Sequence, residues 1–221
     1  MPELHTLKNE QLTVTASSFG AELQSVTGAD GVEYLWNGDP AYWGGRSPHL
    51  FPFVGSLRGG RASCSKGEVR LPQHGLARKT PYETETAADT AVTYRLSSTE
   101  ESRLGYPYDF VFRVRHSLDG PALTTTYIVE NTGGDPMPFT VGGHPAFRVP
   151  LVPGEAFEDY HIEFEQPETI DCPQVELPTA LIFGESYTNA VETVLWTAFD
   201  ETRSLDLRYY TAASIEEYIA A

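Results

Sequence analysis

The residues best suited to chemistry in this chain are histidines and arginines set among glycines and prolines. In Phe139-Thr-Val-Gly-Gly-His-Pro-Ala-Phe147, the alternation of Phe139 and Val141 reads as a strand that meets two glycines, a histidine and a proline. Gly142 and Gly143 carry no Cβ, so the backbone can turn sharply there or another molecule can approach closely. Pro145 biases His144 towards an extended conformation and removes the next backbone donor. A histidine is the side-chain type whose ordinary range spans neutral pH, and on so stiff a support such a residue type is useful as an acid or a base. The competing reading is a buried histidine whose ring nitrogens satisfy nearby carbonyls. This stretch alone leaves both open.

A second group stands earlier. His74 and Arg78 occupy the loop after a strand, spaced so that both can reach one pocket, and Arg46 and Arg58 flank the proline-rich loop before it. The fixed donors of a guanidinium suit sugar hydroxyls or phosphate oxygens, although a single arginine is more often a solvated surface charge. Trp36, Tyr42, Trp43, Phe51 and Phe53 could floor a sugar site, and equally the rim of a sandwich core. No Walker loop, serine elbow, HExxH or CxxC is present. No spacing suggests a metal site or a cofactor.

These residues need elements to hold them, and the chain reads as all-β. Leu12 to Ala16, Ala21 to Val26, Glu68 to Leu71 and Ala91 to Leu96 read as strands, and Glu33 to Trp36 leads into a loop rich in glycine, proline and aromatics. In the clearest one, Phe110, Phe112, Val114, His116 and Leu118 share a face, with Arg113, Arg115 and Ser117 opposite. That alternation makes His116 structural. Leu123 to Glu130 pairs with it. Further strands are expected at 160–164, with His161 facing solvent, and at 193–199 and 205–210. Arg46 to Gly55 contains two prolines and reads as an ordered surface loop. Only the tail, from Ser214 as N-cap to Ala220, looks helical. Many short strands with frequent turns and no linker predict one large antiparallel β-sandwich over residues 1–221.

Composition narrows the partners. With 40% hydrophobic and 12% aromatic residues the chain is globular. Its net charge of −16 argues against nucleic acid and against an anionic membrane surface. No apolar run approaches the ~18 residues of a membrane helix. The first ten residues lack a signal-peptide pattern, and Cys64 and Cys172 stand far apart. The expectation is free thiols in a cytoplasmic, reducing compartment.

Four motifs occur in a telling order: Glu33-Tyr-Leu-Trp36, Leu50-Phe-Pro-Phe-Val-Gly55, His74-Gly-Leu-Ala-Arg78 and Gly142-Gly-His-Pro-Ala-Phe147. Together they resemble the aldose 1-epimerase (galactose mutarotase-like) superfamily, most closely its LacX-like branch. The resemblance implies a large antiparallel β-sandwich that binds an aldose, free or phosphorylated, as a monomer or homodimer without metal or cofactor. It places His144 as the general acid, His74 and Arg78 on sugar-binding positions, and Arg46 or Arg58 at a further binding arginine. The family's base is a glutamate in a late Glu-Pro-Trp-like strand, and this sequence has no such motif. Thr179 stands where an acidic residue usually precedes the Ala180 to Phe183 stretch, and the C-terminal part looks shortened. Glu216 and Glu217 are the late adjacent carboxylates, in a helical pattern that reads as solvated surface.

The implied reaction opens and re-closes a hemiacetal ring. A base takes the anomeric proton while an acid protonates the ring oxygen, each positioned transfer contributing about 10²–10⁴-fold. Two histidines, or a histidine and a carboxylate, suffice if their proton affinities differ. Two functions follow: an isomerase using His144 and His74, or a non-catalytic sugar-binding sandwich that has lost its base.

Overall fold

The computed structural model describes residues 1–160, together with the backbone of residues 174–176, 181–183, 193–199 and 205–210. Three antiparallel strands, β1 (Leu4–Lys8), β2 (Leu12–Ser17) and β3 (Leu23–Gly28), form one sheet in that order. A strand β4 (His49–Leu50) and a hairpin of β5 (Ala62–Cys64) and β6 (Gly67–Val69) follow. The second main sheet contains β7 (Glu83–Ala88), β8 (Ala91–Ser97), β9 (Phe110–Asp119) and β10 (Ala122–Asn131), ordered β10-β9-β8-β7. A short helix α1 (Glu100–Gly105) joins β8 to β9, and β11 (Gly142–Gly143) pairs with β4. Two hairpins come last: β12 (Gln174–Glu176) with β13 (Leu181–Phe183), and β14 (Thr193–Phe199) with β15 (Leu205–Tyr210).

The two main sheets bury their apolar faces on each other. Leu7, Val14 and Val26 from the first meet Val92, Tyr94, Phe112 and Val114 from the second in one core cluster. Strand β9 alternates as its sequence does: Phe112, Val114, His116 and Leu118 are buried while Arg115 and Asp119 are exposed. Its partner β10 lies in the register Val114↔Tyr127 and His116↔Thr125. The fold is the expected all-β sandwich.

Three local expectations are corrected. Arg46 to Gly55 is not a surface loop, because Ser47 through Pro52 is buried. Burial of Leu50 and Phe51 draws it inside, and its backbone polar groups are met by β11 and by the segment at 75–77. Phe139 to Val141 is not a strand, since pairing begins only at Gly142, and the stretch Glu33 to Trp36 makes two isolated bridges, Thr27↔Glu33 and Leu35↔Phe147. There the Glu33 carboxylate itself accepts the amides of Val26 and Leu35, at 2.8 and 2.9 Å. Helix α1 was not anticipated. It is started by a capping box in which Thr99 and Ser102 bond each other's backbone amides. The expected helix at 214–220, the strand at 160–164 beyond Tyr160, Cys172, Thr179, Glu216 and Glu217 lie outside the described residues.

His116 faces the core together with His49, their ring centroids 5.5 Å apart. Both donate from Nε2 to one acceptor, the carbonyl of Ala21, at 2.8 and 3.0 Å. A carbonyl can only accept, so both rings carry their proton on Nε2 and accept at Nδ1. The donors are the hydroxyls of Thr125 to His116 (2.9 Å) and Tyr127 to His49 (2.8 Å). Every ring nitrogen is satisfied only while both imidazoles are neutral. Desolvation lowers His116 from the ordinary 6.5 to about 4, and desolvation together with His116 lowers His49 to about 3.

The consequence is acid lability. Both folded-state values lie below the unfolded one, so this stability is complete above pH 6.5 and is lost as pH falls towards the folded values. Urea unfolding should show stability falling by about 1.4 kcal/mol per pH unit for each histidine between about pH 6.5 and about pH 5. A pH-independent midpoint over that window would contradict the neutral-pair assignment.

Candidate active site

The segment from Pro48 to Gly55 holds the two loops that bear the candidate histidines. Phe51 is fully buried, its ring stacked on Phe112 at 4.5 Å and packed against Phe110 at 5.1 Å. Its carbonyl accepts the amides of Leu76 (3.0 Å) and Ala77 (3.2 Å). Gly75 lies so close that a Cβ there would sit 2.3 Å from the Phe51 oxygen, and its φ is +72°. Only glycine meets both conditions. On the opposite side, Leu50 pairs with Gly142 and His49 with Gly143, while the His144 amide donates to the Pro48 carbonyl at 3.0 Å.

His74 and His144, 70 positions apart in sequence, therefore meet with ring centroids 6.2 Å apart. His74 has left-handed backbone (φ +65°). Its amide donates to the Gly55 carbonyl at 2.7 Å, and the Gly55 amide donates back to His74 Nδ1 at 3.0 Å. An Nδ1 that accepts is unprotonated, so the neutral ring bears its proton on Nε2. Burial, then the Arg78 guanidinium and His144, lower its proton affinity, which keeps His74 neutral near pH 7. His144 differs: its side chain is exposed and its ring nitrogens make no hydrogen bond among the described residues. It is therefore not a buried structural histidine. The Trp43 ring lies 5.2 Å away.

The arginines separate. Arg78, half-buried in a 3₁₀ turn (Ala77–Lys79), is near enough to His74 to influence its protonation, and its Nε is buried without a partner among the described residues. Arg46 is occupied in holding its own loop. Its Nη1 donates to the Gln24 carbonyl and its amide to Glu22 Oε1, the latter at 2.8 Å. Arg58 is exposed at the start of a 3₁₀ turn (Arg58–Gly60), and no described contact brings it to either histidine. Among the described residues no carboxylate bonds either ring, and no group of three or more His, Cys, Asp or Glu could hold a metal ion. A separate cavity of about 420 Å³ beside Phe19 and Tyr82 contains none of these side chains. The Gly55 clasp on His74 carried no signal in the sequence, since it joins two loops 19 residues apart.

The profile of the aldose 1-epimerase family fits residues 3–216, and the chain belongs to that family. It is similar to the plasmid-encoded protein LacX of Lactococcus lactis subsp. lactis, 37% identical over 209 residues, covering 92% of this chain and 67% of LacX. Among solved structures, a galactose mutarotase related enzyme from Lactobacillus acidophilus superposes with a TM-score of 0.74 at 29% identity, covering 96% of this chain and 74% of that one. A galactose mutarotase-like protein from Lactobacillus casei gives 0.65 at 32%, covering 68% of this chain and 52% of that one.

The Gly75 contact generates a direct test. Gly75→Ala should cost at least about 2 kcal/mol by chemical denaturation, because both left-handed strain and collision with a fixed carbonyl must be relieved. Gly134→Ala, where nothing lies within 4 Å, should stay within about 0.5 kcal/mol of the parent. Equal stabilities would mean that the His74 loop is not seated on Phe51.

Proposed function

We propose that this chain interconverts the α and β anomers of an aldohexose, free or phosphorylated, as a single sandwich domain spanning residues 1–221. The observation that carries the reading is the approach of His74 and His144, one ring locked and the other free. His144, exposed and unbonded, protonates the ring oxygen and takes the proton back on closure. His74 donates from Nε2 to a sugar hydroxyl. Its Nδ1 is occupied by the Gly55 amide, so it holds substrate more readily than it accepts a proton. Arg78 adds a charged donor beside it. Arg46 or Arg58 supplies a further binding arginine. Taking the anomeric proton falls to a base that none of the described residues supplies. Family membership supports a sugar as the small-molecule partner.

The lack of a Glu-Pro-Trp-like motif in the sequence favours one other reading, a sugar-binding sandwich that retains the pocket without turnover. The two are separated by anomer exchange measured by NMR at saturating sugar near neutral pH, on glucose, galactose and a hexose 6-phosphate. Exchange above the spontaneous rate that falls with His144→Ala while affinity holds supports the isomerase, since a transition-state interaction lowers turnover without weakening the ground-state complex. His74→Ala and Arg78→Ala should instead weaken binding by about 1–3 kcal/mol each. Equal exchange in parent and His144→Ala, above background, would refute the acid role. Binding without exchange in either would establish the binding module.

A further inference from the structure

We propose that Trp43 is the residue that positions the His144 imidazole, and that Gly45 exists to leave room for it. The inference rests on the reading of His144 as the acid. The His144 backbone is fixed by Pro145 and by the Pro48 carbonyl, but its side chain is exposed and no hydrogen bond among the described residues holds the ring. An exposed imidazole without partners spreads over its rotamers. Two rings border it, Trp43 at 5.2 Å and His74 at 6.2 Å, and the indole is the nearer and larger. The 42° tilt and this separation fall within the range of favourable aromatic pairs.

Trp43 is itself tied to the loop it leans on. Its amide donates to the Asp39 carbonyl at 2.9 Å, and its carbonyl accepts Trp36 Nε1 at 2.8 Å. The Trp36 amide in turn donates to the Ala146 carbonyl at 2.9 Å, two residues beyond His144. Backbone and ring contacts thus connect the same two loops.

Gly45 supplies independent support. A Cβ on it would lie 2.6 Å from Trp43 Cζ2 and 2.9 Å from Cε2, nearer than real Cβ contacts come. Gly45 is not among the positive-φ glycines, so its backbone does not demand glycine. What the position needs is the absence of a side chain under the indole. Gly44, next to it, has nothing within 4 Å of its own Cβ position and serves as the matched control.

The experiment compares Trp43→Leu, Trp43→Phe, Gly45→Ala and Gly44→Ala with the parent. Readouts are anomer exchange, sugar affinity, thermal unfolding, and the ring-proton signals of His144, assigned by their loss in His144→Ala. Trp43→Leu and Gly45→Ala should each lower turnover about tenfold, with affinity changed less than about twofold, because misorienting an acid costs rate rather than binding. Trp43→Phe should retain most of the turnover, and Gly44→Ala all of it. The His144 ring signals, shifted by the indole ring current in the parent, should move in the two impaired variants and stay in Gly44→Ala. Parent-like turnover and unmoved His144 signals in Trp43→Leu would overturn the proposal, as would Gly45→Ala behaving like Gly44→Ala. If the parent itself shows no exchange, the isomerase reading falls separately, and the ring signals alone then decide whether Trp43 positions His144.

Discussion

The ring of Phe51 packs in the core while its carbonyl holds the loop that bears His74, and the site depends on that division. The ring is fully buried against Phe110 and Phe112, so the strand cannot move without opening the core. Truncating such a ring to alanine typically costs about 3–5 kcal/mol. The carbonyl holds the amides of Leu76 and Ala77, and the preceding residues pair with Gly142 and Gly143. Both histidine loops therefore take their positions from one short segment anchored in the middle of the sandwich. Rigid scaffold below and functional loops above is the usual way a β-sandwich gains precision at a site.

Four histidines of the described chain show how environment divides one side-chain type into different roles. His49 and His116 are buried, share the Ala21 carbonyl and receive hydroxyl donors, so they remain neutral and act as structure. His74 is half-buried, with one nitrogen committed to Gly55 and the other free to meet a ligand. His144 has both nitrogens free among the described residues and an aromatic neighbour at its face. The gradient from fully bonded to unbonded runs along a single path, since His49 sits on the strand whose partner leads into His144.

Much of this was legible in the sequence. The period-two pattern from Phe110 to Leu118 placed His116 in the core, because alternation over so many residues leaves one register. The paired strand at 123–130 and the late strands at 193–199 and 205–210 were also expected, although the pairing of the last two with each other was not. His74 and His144 stood out through the glycines and prolines around them. The prolines also misled: they marked Arg46 to Gly55 as a surface loop, whereas Leu50 and Phe51 made it the most buried connection in the site. Arg46 stood out by residue type alone, and the bond from its Nη1 to the Gln24 carbonyl is a contact that type and spacing do not encode. The Gly55 clasp and the fit of Trp43 over Gly45 depend on ångström-scale approach, which residue type and spacing do not encode.

The most direct measurement of the central claim is a long-range ¹H–¹⁵N spectrum of the histidine rings recorded while aldose is added near neutral pH. If His74 and His144 face one sugar site, their signals should move along the same saturation curve. His74 should report an unprotonated Nδ1 throughout, and the core rings of His49 and His116 should remain still. Movement of only one of the two, or different saturation curves for them, would contradict a shared site.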